Sequence, residues 1–130
     1  MYSEKVINHF KHPRNAYRMT DADAEGCVGD PACGDTLTIY IKVKDNIIYE
    51  ISYLVFGCCG VIATSSMTTV LAKGKSLEEA LSIKEEEIIT ALDGLPENKV
   101  HCSNLGVSAL RKAITNYYDK NDLKKKENTL

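Results

Sequence analysis

Tryptophan is absent from this chain, phenylalanine occurs twice and proline three times, and neither sign of charge dominates. Each shortage excludes something. Sixteen Lys and Arg face 18 Asp and Glu, a formal net charge of −2, so there is no basic surface of the kind that grips phosphate backbones, and nucleic acid is not an expected partner. No apolar run approaches the roughly 20 residues of a membrane span, so no membrane partner is expected. The opening stretch MYSEKVINHF mixes charge with apolar residues where an export signal has a continuous apolar segment. No internal repeat is present, which excludes solenoids and propellers. The cysteines number five, an odd count. With no export signal, a disulfide framework is not expected and a reducing cytoplasm is. None of the cysteines shows the CxxC spacing of common zinc fingers.

What is present suits one small domain. A chain of 130 residues, 44% hydrophobic and 26% charged, can bury roughly two-thirds of its unfolded surface and needs no covalent staples. The expected domain covers residues 1–120, with a charged, frayed tail at 121–130. Ser3 reads as the cap of a short helix with Val6, Ile7 and Phe10 on its buried face. Residues 14–30 read as loop, with a short strand near Cys27. TLTIYIKV at 36–43 alternates with period two, Lys44-Asp45-Asn46 is a turn signal, and IIYEISYLVF at 47–56 is the second strand.

The second half reads helical. A small-residue helix spans 60–72, with Ile62, Met67, Val70 and Leu71 as its larger apolar members, and Gly74 closes it. Ser76-Leu77-Glu78-Glu79 is a capping-box signature. Glu85, Glu86 and Glu87 suit a first turn and form a solvated face. The longest helix is expected at about 103–118, with a stripe of Gly106, Leu110, Ala113, Ile114 and Tyr117. Strands first and helices after predict an α+β fold: a small antiparallel sheet with helices packed on one face.

PACGD at 31–35 sets a thiol and a carboxylate two positions apart. The predicted hairpin carries Cys33 across from Gly57, beside Cys58, and neighbouring strands lie about 4.8 Å apart. Cys33, Asp35 and Cys58 therefore share its open end. Cys58 opens one helix and Cys102 another. A thiol at a helix start feels the positive end of the dipole, so the pKa of each is expected to fall. Together they suggest a three-thiolate metal site with Asp35 or His101 as fourth ligand. Cys27 is expected to be a small buried hydrophobe, and His9 and His12 surface residues.

These residues resemble the iron–sulfur cluster scaffold family of the IscU / NifU N-terminal type. The resemblance runs from YSEKVINHF at residue 2 to about Tyr118 and includes HPRN at 12–15, VGDPACGD at 28–35, FGC at 56–58, ATSS at 63–66, GKSLEEA at 74–80 and HCS at 101–103. It implies a scaffold, not a classical enzyme, on which a [2Fe–2S] cluster forms and from which it passes to acceptor apoproteins such as ferredoxin. A cysteine desulfurase would supply sulfur, and separate donors iron and electrons. The motifs map onto Cys33, Cys58 and Cys102 as thiolate ligands and Asp35 and His101 as polar partners. Cys102 is the expected first persulfide acceptor, and zinc the expected metal of the cluster-free form.

Two departures stand out. Cys59 replaces the glycine usual in the family and is expected to be a spare or packing thiol. LPENK at 95–99 replaces the chaperone-recognition stretch LPPVK. Glu97 and Asn98 then predict weak or absent binding to an Hsp70-type chaperone, while a homodimer stays open. The alternative is a zinc-dependent sulfur acceptor of the SufU type, using the same Cys33, Asp35, Cys58 and Cys102. The short Cys58–Cys102 segment and the presence of His101 weigh against it.

Overall fold

The structure, a computed structural model, describes residues 2–30 and 34–128, with the side chains of Asp30, Asn98, His101 and 122–128 outside the description. The order is α1 (Glu4–Lys11), β1 (Ala24–Asp30), β2 (Asp35–Lys44), β3 (Ile47–Phe56), α2 (Cys59–Ala72), α3 (Leu77–Leu81), α4 (Glu85–Ala91), a 3-10 turn at Glu97–Lys99, and α5 (His101–Asn128). The sheet is antiparallel in the order β1-β2-β3. Asp45 and Asn46 both take positive φ, 53° and 66°, as a two-residue hairpin loop matched to strand twist requires.

Leu37, Ile39, Ile41, Ile51 and Tyr53 are buried on one face, the period-two side of both strands. A register shift at Lys42/Val43 leaves Val43 only half-buried, against the expected alternation. The helices pack on this face, and α5 lies so close to β1 that a Cβ on Gly26 would run into the Ala109 carbonyl and the Ala113 amide. This is the α+β arrangement expected. The segment between α1 and β1 covers part of the opposite face. There Met19 is buried, Tyr17 donates to Glu50 at 2.6 Å and Lys42 pairs with Asp21.

Several expectations change on contact with tertiary structure. Ser3 does cap α1, but Ile7 and Phe10 stay exposed and the buried pair is Val6 and His9. His9 is therefore not a surface residue. Ser66 Oγ accepts the Arg14 amide at 3.0 Å and shares a hydrogen bond with His9 Nδ1 at 2.7 Å. Burial, then the nearby Arg14 charge, lowers the His9 pKa and favours the neutral ring. His12 is exposed as expected. Cys27 is exposed on the outer sheet face, because its strand position turns it away from the helices.

Helix α2 is buried on nearly all sides, although Val70 is exposed. Its interior positions include Thr64, Ser65, Ser66, Thr68 and Thr69. α3 has the full Ser76/Glu79 capping box. α5 begins at His101 and continues past the expected end at residue 118 to Asn128.

Candidate functional site

The mouth of the hairpin builds the first part of the site. Gly34 sits at φ +70° with open space where a Cβ would go, a bend that glycine makes without strain. Thr36 pairs with Phe56, and beyond that pair Asp35 meets Gly57: a Cβ on Gly57 would fall 2.6 Å from Asp35 Oδ1. The expected facing of Cys33 and Gly57 involves Cys33, which lies outside the described residues. Asp35 is only 5% exposed, and its Oδ2 has no hydrogen-bond partner among the described residues. A buried carboxylate oxygen left without a donor is costly, which makes it a natural ligand for a cation.

The starts of α2 and α5 build the second part. Cys58 is the N-cap of α2 and half-buried. Its sulfur lies 3.8 Å from that of Cys102, which is fully buried in the first turn of α5. The two thiols are shifted in opposite directions. Burial alone would raise Cys58. The neighbouring Val61 amide, the Cys102 thiol, the Gly60 amide and the Lys99 charge outweigh it and lower its pKa below the usual 9.0, although the sulfur makes no capping hydrogen bond. Burial, the adjoining Cys58 charge and the hydrogen bond given to it push Cys102 up to about 12. The expectation of a lowered pKa holds for Cys58 and fails for Cys102. At the cap the sulfur lies near backbone N–H groups, whereas inside the first turn the Cys102 side chain is enclosed.

Sequence reasoning missed two contributors. Lys99 lies beside the thiols, its pKa raised first by the Cys58 charge. A lysine just ahead of a helix start is unusual, and that was the available signal. The Tyr2 hydroxyl bonds the Cys59 thiol, the main cause of its raised pKa. A Cβ on Gly60 would meet Cys102 Sγ at 3.3 Å, Cys58 Sγ at 3.6 Å and the Tyr2 hydroxyl at 3.6 Å, so glycine leaves this corner open. Cys59 is half-buried, while His101 starts α5 with its side chain outside the description. Among the described residues no three His, Cys, Asp or Glu side chains converge on one metal position. The Asp35 charge nevertheless reaches Cys102 and adds to the rise in its pKa.

The family model for the NifU-like N terminal domain matches residues 1–124. The chain belongs to the NifU-like N-terminal domain family. Among its relatives is the iron–sulfur cluster assembly scaffold protein IscU 1 of Archaeoglobus fulgidus, 57% identical over 121 residues, which are 93% of this chain and 79% of that one. IscU of Escherichia coli strain K12 is 44% identical over 127 residues, 95% of this chain and 98% of its own. The fold is also that of the N-terminal part of a nitrogen-fixing NifU-like protein from Brucella abortus, with a TM-score of 0.72 at 18% identity, covering 91% of this chain and 94% of that one.

Proposed function

We propose that this chain is a scaffold for iron–sulfur cluster assembly, building a [2Fe–2S] cluster as cargo and passing it to acceptor apoproteins. The observation that carries this reading is the Cys58–Cys102 thiol pair, together with a buried Asp35 whose Oδ2 has no partner among the described residues and whose charge reaches Cys102. Thiolates suit iron in a sulfide-bridged cluster, and a hard carboxylate oxygen is poorly matched to it. A corner with one weak ligand can yield to an incoming thiolate, which a transient holder needs. Cys33, Cys58, Cys102 and Asp35 are the ligands in this reading, with His101 the alternative to Asp35. Zinc would use the same donors when no cluster is bound.

Sulfur arrives as the persulfide of a cysteine desulfurase, and Cys102 is its acceptor. Its burial requires the first turn of α5 to open. The Cys58 thiolate takes the Cys102 proton, the Cys102 sulfur attacks the donor's outer sulfur, and the donor cysteine leaves as thiolate. Iron and electrons come from further donors. The setting is a cytoplasm that keeps thiols reduced, and chaperone recognition at LPENK is weak or absent.

Anaerobic reconstitution with iron and sulfide tests the reading. Loading to about one cluster per protomer or per dimer is expected for the wild type, with near-complete loss in Cys58→Ser and Cys102→Ser. At matched loading, Asp35→Ala should transfer its cluster to apo-ferredoxin more slowly. Unchanged loading in both cysteine variants would refute the site.

A further inference from the structure

Thr64 belongs to the ATSS stretch of α2, which no part of the scaffold reading uses. It is fully buried. Its hydroxyl lies 3.1 Å from the Val61 carbonyl on its own helix and 3.1 Å from the Cys102 carbonyl across the α2–α5 seam. One turn further along, α5 presents Gly106 to Thr68, and a Cβ there would fall 2.5 Å from Thr68 Oγ1. The two helices therefore meet without a large side chain between them. The Thr64 hydroxyl is the polar tie nearest their thiol-bearing ends.

We infer that Thr64 is the positioning residue that holds the first turn of α5 against α2 and so sets the Cys58–Cys102 spacing. The hydroxyl has a single proton and two acceptors in reach. Given to Cys102, the proton ties the helices. Given to Val61, it satisfies the hydroxyl within α2 and lets the α5 turn move without leaving a buried orphan donor. The tie is thus strong enough to set a distance and cheap enough to open when Cys102 must be reached. Its use in cluster assembly rests on the scaffold reading, but the thiol spacing does not.

The test is the disulfide equilibrium of Cys58 and Cys102 with the glutathione couple, in the full chain with Cys27, Cys33 and Cys59 replaced by serine. Two thiols and one glutathione disulfide give one protein disulfide and two glutathiones, so the equilibrium constant reports how closely the thiols are held. Thr64→Val, which removes the hydroxyl at similar shape, should lower that constant about threefold to tenfold. Thr64→Ser, which keeps the hydroxyl, should stay near the parent value. Thr69→Val removes an equally buried hydroxyl whose partners are Ser66 and Asn15, and should leave the constant unmoved. A parent-like constant in Thr64→Val would overturn the inference, as would an equal fall in Thr69→Val. Should Thr64→Val not fold, Thr64→Ala carries the same expectation. Because no iron or sulfide is present, a failed scaffold reading would leave this outcome unaffected.

Discussion

Cys58 and Cys102 stand at the starts of two helices with their sulfurs 3.8 Å apart, yet the pKa of one is lowered and that of the other is raised. Both sit near the positive end of a helix dipole, so the dipole does not separate them. The difference lies in one step of position. Cys58 is outside the helix, at the cap, where the neighbouring Gly60 and Val61 amides and the Lys99 charge favour its thiolate without a capping hydrogen bond to the sulfur. Cys102 is inside the first turn and fully buried. A helix start is not by itself an acidic-thiol site. The cap is, when the sulfur remains within reach of solvent and of the first free N–H groups.

Alkylation kinetics give the sharpest way to break this comparison. In metal-free protein at neutral pH, iodoacetamide should modify Cys58 faster than Cys102 by on the order of a hundredfold or more, read by peptide mass. The Cys58 rate should level off below pH 9, while that of Cys102 should still rise toward about 12. Equal rates would mean that cap and first turn do not differ.

The shared wall of the site gives the next effect. Gly57→Ala forces a methyl against Asp35 Oδ1 and should cost about 2 kcal/mol, seen as a lower denaturant midpoint, with reduced cluster loading. Lys99 is a smaller lever. Lys99→Ala should slow Cys58 alkylation about twofold to threefold, and Cys102 alkylation in the same direction, because the Lys99 charge lowers the pKa of both thiols and a solvent-screened charge contributes little. Cys59→Gly should do least, with loading equal to wild type, since Cys59 faces Tyr2. A severe loss there would add a third thiol to the comparison.

The local devices of the fold were readable residue by residue. The alternation of 36–43, the positive-φ pair Asp45-Asn46 and the caps Ser3 and Ser76 act over a few residues, so their pattern is written in neighbouring positions. The family motifs likewise marked Cys58 and Cys102, whose sulfurs the fold sets 3.8 Å apart. What could not be read depends on which surface a residue meets. His9 is buried because Ser66 lies across from it, and Cys27 is exposed because the helices take the other face of the sheet.

The sequence by itself determined the element order, the hairpin turn, the helix starts and the choice of thiol and carboxylate chemistry, because propensity, capping and side-chain type are local properties. Only the tertiary structure decided that Gly57 faces Asp35, that Lys99 and Tyr2 join the thiols, and that burial raises the Cys102 pKa while the surroundings of Cys58 lower its own. Those outcomes depend on strand register and depth of burial. A one-residue step in either reverses which atom meets which charge.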